Sequence, residues 1–222
     1  MTDKKPLDIE EVILRLRQEV RSFPKAAMFA LADEGYTSAF EQLISCIISI
    51  RTYDEVSLPV SRRLFAIAKT PAEIASLSVE KIETLIAEST YAKRKAAQIK
   101  AIAERIVNEH DGILPCDEEI MLGFKGVGVK CAHLALGIAC QQPYISVDVH
   151  VHRVTNRWGY VQTKTPEKTT TALEGKLPTK YWIEINSLLV PFGKHICTGK
   201  LPRCSKCFLL EMCRQVGVAK SR

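Results

Sequence analysis

Apolar residues recur along most of this chain at spacings of three and four, the period that places them on one face of a helix. Ile9, Val12, Ile13, Leu16 and Val20 predict an amphipathic helix over 8–22, which Phe23 and Pro24 stop. Phe40, Leu43, Ile44, Ile47 and Ile48 repeat the pattern over 38–51, in a segment so apolar that it reads as a central, buried helix. It turns polar at Arg51, Thr52 and Tyr53. Asp54 is suited to cap a third helix running to about Ala68, and Thr70-Pro71-Ala72-Glu73 is a capping box with proline at the first helical position. Short helices are expected at 71–76 and 79–88. Tyr91 to Arg94 then form a basic, aromatic connection into a long helix. Its Ala96, Ile99, Ala103, Ile106 and Val107 face inward, and it ends near His110-Asp111-Gly112. After an extended stretch at 143–148, helical patterns resume at 149–158, 167–175 and 179–192. No segment alternates well enough to make a sheet. The expected fold class is all-α, with no internal repeat and no low-complexity segment.

The stretch L-G-F-K-G-V-G-V-K-C-A at 122–132 interrupts this regularity and draws attention as chemistry. Asp117 is a plausible N-cap for a short helix over 118–123, and Ala132, Ala135, Leu136 and Ala139 give a second helix its buried face, so the stretch reads as a helical hairpin. Gly126 and Gly128 allow positive φ and close backbone approach, so amides at the start of the second helix can face an anion such as a nucleic-acid phosphate. Lys130 falls in the first turn of that helix. There the positive end of the helix dipole disfavours its charge, which is one way an amine becomes a nucleophile. The bland alternative is an ordinary turn followed by a solvated lysine.

Composition narrows the class without naming a function. The 222 residues are 46% hydrophobic and 25% charged, which suits one large or two small globular domains. Thirty-one Lys and Arg against 25 Asp and Glu give a net charge of +6, a mild bias that permits a polyanionic partner without requiring one. The longest apolar run, 43–50, is far too short to cross a bilayer, and residues 1–5 lead into no apolar signal core. A cytoplasmic monomer is expected, associated with the nucleoid if the source is bacterial.

Four of the eight cysteines crowd into the last 26 residues. Cys197, Cys204, Cys207 and Cys213 stand in the spacing C-x6-C-x2-C-x5-C, and four thiolates gathered in one short loop point to a metal. Structural zinc is the alternative, but zinc sites favour two C-x2-C knuckles and here there is one. A [4Fe–4S] cluster is therefore expected. Lys200, Pro202 and Arg203 lie between the first two ligands, where a pinned loop would present two cations to phosphates. Cys46, Cys116, Cys131 and Cys140 are scattered through helical patterns and read as core or lining residues.

Taken together, G-V-G-V-K at 126–130, V-D-V-H-V-H-R-V at 147–154 and the four-cysteine spacing resemble the endonuclease III family of DNA glycosylases. This is the helix-hairpin-helix superfamily with a Gly/Pro-rich loop and a downstream aspartate. The likeness runs from about residue 35 to 214. It implies two helical domains, a six-helix barrel bearing the hairpin at 33–142 and a cluster domain built from both chain ends, 1–32 and 143–222. It places Lys130 on the family's catalytic lysine and Asp148 on its catalytic aspartate. The implied activity is base excision repair of oxidised pyrimidines in duplex DNA, with abasic-site lyase activity through a lysine Schiff base. Asp148 also suits a helix N-cap before Val149, while His150 and Arg153 on that helix would order the aspartate or meet phosphate.

The chain departs from the family at informative places. Phe124-Lys125-Gly126 replaces the common Leu-Pro-Gly, giving Lys125 as an added phosphate contact, and Cys131 replaces the usual threonine. Arg51 stands where a glutamine usually fills the space of the flipped nucleotide, and Tyr91 at the wedge position, commonly leucine. Both bear on which lesions are opened. Two other readings remain: a glycosylase of shifted, mismatch-type specificity, and a DNA-binding helix-hairpin-helix/iron–sulfur protein of weak or no glycosylase activity.

Overall fold

The computed structural model describes residues 4–222; Met1, Thr2 and Asp3, part of the N-terminal stretch considered above for a leader, lie outside the described residues. Twelve α-helices and no strand occur among the described residues, and no helix there is long and apolar enough to cross a membrane. The chain divides into two units. One comprises Ala26–Tyr144, and the other joins the described residues up to Lys25 with Ile145–Arg222.

The first unit is arranged around helix α3, Ala39–Ser49. Ten consecutive residues, Ala39 to Ile48, are buried, so the helix has no solvent face at all. Burying a Leu or Ile side chain is worth about 1.5–3 kcal/mol. Leu43, Ile44, Ile47 and Ile48, each fully buried, thus make this helix the anchor of its unit. Ser38 closes its N-terminus in a capping box: Glu41 N–H donates to Ser38 Oγ at 3.1 Å, and Ser38 N–H donates to Glu41 Oε2 at 3.0 Å. Around it stand α2 (Ala27–Asp33), α4 (Asp54–Ile67), α7 (Ala92–Glu109) and α9 (Val129–Cys140), with α9 packed on it most extensively. Helices α5 (Pro71–Ser76) and α6 (Val79–Leu85) pack on α7, and α8 (Glu118–Leu122) forms the hairpin with α9.

The second unit takes α1 (Ile9–Glu19) from one end of the chain. From the other it takes α10 (Val149–Trp158), α11 (Pro166–Glu174), α12 (Glu184–His195) and the terminal cysteine loop. Trp158 and Phe192 lie 6.2 Å apart and Phe192 and Phe208 5.5 Å apart, centroid to centroid, which ties the loop to α10 and α12. Arg15 on α1 donates to the Phe208 carbonyl at 2.8 Å and pairs with Glu211 at 2.9 Å, fastening the N-terminal helix to the same loop.

Several elements differ from the sequence reading. Helix α2 was not foreseen, and it moves the start of its unit to Ala26 rather than 33. The N-cap of α4 is Tyr53 and not Asp54, whose carboxylate lies in the first helical turn, where the dipole favours it. The helix expected over 179–192 is broken into a 3-10 turn, Thr179–Tyr181, and α12, which runs on to His195. Cys116 and Cys140 are joined by a disulfide, with Cα atoms 6.0 Å apart, because closure of the hairpin returns the end of α9 to the loop before α8.

Ser38→Ala should cost about 1 kcal/mol of unfolding free energy, the worth of an N-cap, while Ser38→Thr keeps most of it. Urea unfolding checks this, and equal midpoints for wild type and Ser38→Ala would mean the capping box does not hold α3.

Candidate functional site

The hairpin turn is set by Gly126, whose φ of 82° is a left-handed conformation open to glycine. A Cβ there would also meet Gln98 Nε2 at 2.9 Å. Gln98 uses that amide to donate to the Lys125 carbonyl at 3.0 Å, so the turn is gripped from α7. Gly128 does not take a positive φ, contrary to expectation: at −109° it is simply the N-cap of α9, its carbonyl accepting from Cys131 and Ala132. A Cβ added at Gly128 meets nothing within 4 Å, so the start of α9 faces open space. His133 Nε2 and Glu118 Oε1, 2.7 Å apart, tie α9 back to α8.

Lys130, in the first turn of α9, is half-buried, and its Nζ lies 3.5 Å from the Cys46 Sγ of α3. Cys46 and Cys131 sulfurs stand 2.6 Å apart. The thiol hydrogen bond between them, aided by the Lys130 ammonium, holds Cys46 below the ordinary thiol range in spite of its burial, and Cys131 is raised in turn. Lys125 is exposed at the turn. Beside it opens a groove of about 550 Å³ lined by Arg94, Gln98, Arg105, Phe124, Lys125 and Gly126 among others. Arg105 covers the Phe124 ring at 5.1 Å and donates to the Gly123 carbonyl at 2.7 Å. The sequence reading missed Arg105, which is half-buried at the flank of α7's buried face.

Arg51 and Tyr91 come together as two exposed corners. Both are non-glycine residues in the left-handed region, at φ 54° and 62°, a conformation costing about 1–2 kcal/mol each. The corners are stitched by Thr90, whose Oγ1 donates to the Arg51 carbonyl at 2.8 Å and whose N–H donates to Thr52 Oγ1 at 3.0 Å. Lys95, only 4% exposed, holds them from below. Its Nζ donates to the carbonyls of Ile48 (2.6 Å) and Ile50 (2.7 Å) and to Ser89 Oγ (2.8 Å), with Thr52 Oγ1 at 3.2 Å. Burial pushes this amine down to about 8, though the two thiols oppose the shift. Sequence reasoning missed Lys95, although its spacing from Ile99, Ile102 and Ile106 puts it on the buried face of α7.

In the other unit Asp148 is the N-cap of α10, its Oδ1 accepting from the amides of His150 and Val151, both at 2.9 Å. Oδ2 stands outside those two bonds. His150 Nδ1 lies 3.1 Å from Arg153 Nη2, which donates to the Gly193 carbonyl at 2.9 Å. A Cβ on Gly193 would come within 2.6 Å of that imidazole nitrogen, so the contact needs glycine. Arg153 Nε also donates to the Cys197 carbonyl at 3.1 Å, and burial pulls its guanidinium below the ordinary value.

Cys197, Cys204, Cys207 and Cys213 are all free thiols and line one cavity with Trp158 and Phe192. Four soft donors facing a shared apolar cavity suit a thiolate-bound metal cluster. Among the described residues, however, no three His, Cys, Asp or Glu side chains are drawn together as a ready metal-binding group. Burial pushes the Cys207 thiol up to about 12 and raises Cys213 too. Arg157, also missed from sequence, fastens the loop by donating to the carbonyls of Thr198 and Gly199, each at 2.6 Å. The helical spacing 150, 153, 157 was the available signal. Lys200 and Arg203 are exposed on the segment so held.

Comparison with known proteins matches this chain to a family. Residues 44–179 match the family described as HhH-GPD superfamily base excision DNA repair protein. Endonuclease III of Thermotoga maritima is 38% identical over 197 residues, covering 89% of this chain and 89% of that protein. Endonuclease III of Haemophilus influenzae is 28% identical, covering 91% and 93%. Among solved structures, a non-covalent endonuclease III–DNA complex gives a TM-score of 0.77 at 25% identity, over 94% of this chain and 96% of the other. A trapped endonuclease III–DNA covalent intermediate, an estranged-adenine complex, also gives 0.77, at 24% identity and 94% and 97% coverage, a likeness of fold.

Lys95→Met should lose about 1–3 kcal/mol of stability, since the Ile48 and Ile50 carbonyls lose a buried donor. The pH dependence has a definite sign. With the folded pKa near 8 and the unfolded value at 10.5, the unfolded chain binds the extra proton between those limits, so this group makes stability rise with pH across that window. Urea unfolding at pH 7.5, 9 and 10 should show that rising component in wild type and not in Lys95→Met; identical profiles would contradict the assignment.

Proposed function

The chain belongs to the endonuclease III family of the HhH-GPD superfamily of base excision DNA repair proteins, and we propose that it excises oxidised pyrimidines from duplex DNA and cleaves the abasic site through a Schiff base on Lys130. The observation that carries the reading is the setting of Lys130: a half-buried amine in the first turn of α9, behind a helix start that opens to space at Gly128. DNA is the partner that the similar endonuclease III complex binds, and the proposed setting is the cytoplasm, at the nucleoid if the source is bacterial.

The chemistry follows from the residue types. With the damaged nucleotide turned out of the stack, the neutral Lys130 amine attacks C1′; the glycosidic C–N bond breaks, and the base leaves with its electron pair and takes up a proton. The lysine nitrogen then forms a double bond to C1′ as the C1′–O4′ bond breaks and O4′ takes up a proton; this iminium acidifies C2′, and loss of the C2′ proton expels the 3′ phosphate. Asp148 supplies a fixed negative charge as positive charge grows on the sugar, and helps strip the proton from the attacking amine. Its Oδ1 is occupied by two amide donors, which fixes the carboxylate at the start of α10.

Binding is shared among several groups. Backbone amides at Gly126 and Gly128, Lys125, His150, Lys200 and Arg203 contact phosphates, while Arg51 and Tyr91 enter the duplex at the lesion. The rigidity of the paired corners at Arg51 and Tyr91 supports that role, because a wedge must hold its shape while bases unstack. Cys197, Cys204, Cys207 and Cys213 would hold a [4Fe–4S] cluster, which when bound fixes the loop carrying Lys200 and Arg203.

Duplexes bearing one oxidised pyrimidine each should be cleaved at the lesion, with undamaged duplex left intact. Asp148→Asn should slow excision by about 10²-fold or more with much less effect on binding, since its charge acts on the transition state. Failure to cleave any oxidised-pyrimidine duplex would overturn the substrate assignment. Anaerobically purified protein should contain about four irons per chain. Stoichiometric zinc would contradict the cluster. Lys200→Ala combined with Arg203→Ala should flatten the dependence of DNA affinity on salt, the logarithmic slope falling by about one for each phosphate left unneutralised. An unchanged slope would show that the loop does not reach the backbone.

A further inference from the structure

Helix α9 carries a cysteine near each end, and each meets another cysteine. Cys140, its last residue, is joined to Cys116. Cys131, in the first turn, faces Cys46 on α3, with 2.6 Å between the sulfurs. Both of these are free thiols and both are buried, 3% and 0% exposed. A disulfide bond is about 2.05 Å long, so the sulfurs are about half an ångström from bonding distance. The approach is imposed by packing, since α3 and α9 form the most extensive helix contact of their unit.

The surroundings favour reaction at one of the two sulfurs. The Lys130 ammonium lies 3.5 Å from Cys46 Sγ, and Lys95 adds its positive charge toward both thiols. A cation beside a thiol favours the thiolate, which is the form that reacts with oxidants. Ser49 Oγ, one turn further along α3, donates to the Cys46 carbonyl at 2.8 Å and also supports the Cys46 thiolate. Cys46 is therefore the attacking sulfur and Cys131 the resolving one.

We propose that Cys46 and Cys131 form a redox-active dithiol, an oxidation site that a small peroxide closes into a disulfide tying the first turn of α9 to α3. The steps balance. The Cys46 thiolate attacks one peroxide oxygen, forming an S–O bond as the O–O bond breaks; the departing hydroxide takes a proton and leaves as water, giving a sulfenic acid. Cys131 then loses its proton and attacks Cys46 Sγ. The S–S bond forms, the S–O bond breaks and a second water leaves. Two thiols are oxidised by two electrons and one peroxide is reduced to two waters. Burial excludes a bulky disulfide as the oxidant, so a small peroxide is the co-reactant. With Cys116–Cys140 already formed, closure would staple α9 at both ends.

The test treats the intact, cluster-loaded protein with hydrogen peroxide, blocks remaining thiols by alkylation, and maps non-reduced peptides by mass spectrometry. A peptide linking Cys46 to Cys131 should appear and should disappear on treatment with dithiothreitol. Cys46→Ala and Cys131→Ala should each lose it and leave the partner thiol alkylated after unfolding. Recovery of both thiols free in oxidised wild type would overturn the proposal, as would linkage of Cys46 to Cys116 or Cys140. The readout is the wild-type peptide itself, so it stands whether or not either variant folds, and it does not depend on the role given to Lys130.

Discussion

A helix buried on all sides must still satisfy the carbonyls at its C-terminal end, and here one ammonium group shares that task with two backbone amides and two serines. Helix α3 has no solvent face, so its last carbonyls have no water to turn to. Lys95 reaches the carbonyls of Ile48 and Ile50 from α7 and adds Ser89 and Thr52 to the same cluster. The helix dipole favours a cation there, which offsets part of the cost of burying it. From this cap the chain leaves through Arg51 in a left-handed turn, and Thr90 brings Tyr91 alongside in another. Arg51 and Tyr91 thus stand on a platform whose geometry is decided in the core.

The same buried helix presents Cys46 to α9 and so sets the environment of Lys130. Packing between α3 and α9 brings a thiol within 3.5 Å of the amine, so a change in the core is felt at Lys130. In the other unit α10 has a comparable double role. Asp148 begins the helix, and Arg153 and Arg157, four residues apart, commit their guanidinium groups to carbonyls of the cysteine loop and of α12. One short helix therefore positions the carboxylate and braces the loop that presents Lys200 and Arg203.

Much of this was legible as pattern, and the exceptions have physical reasons. Ile9, Val12, Ile13 and Leu16, or Ala96, Ile99 and Ala103, mark helices because one face of each is buried and the other is not. Helix α2 lacks that contrast: it is seven residues long, follows Ala26 with no side-chain cap, and its Ala, Met, Phe and Leu give no clear period. Lys95 was hidden by its neighbours, since Lys93 and Arg94 make the stretch look like a solvated basic entry to α7 when one of the three is buried. Gly126 and Gly128 look alike in sequence, yet the reversal of the chain needs one positive φ and Gly126 supplies it. The contacts of Cys46 with Cys131 and of Cys116 with Cys140 depend on tertiary closure over separations of 85 and 24 residues, which no local spacing encodes.

The claim on which the account turns is that one amine, Lys130 Nζ, forms the bond to the sugar. Borohydride reduction of the protein on an abasic-site duplex, followed by nuclease digestion and peptide mapping, identifies the modified residue directly. The sugar remnant is expected on Lys130, in the peptide that continues into Cys131 and Ala132. A remnant on Lys125, or an adduct that forms undiminished in Lys130→Gln, would contradict it.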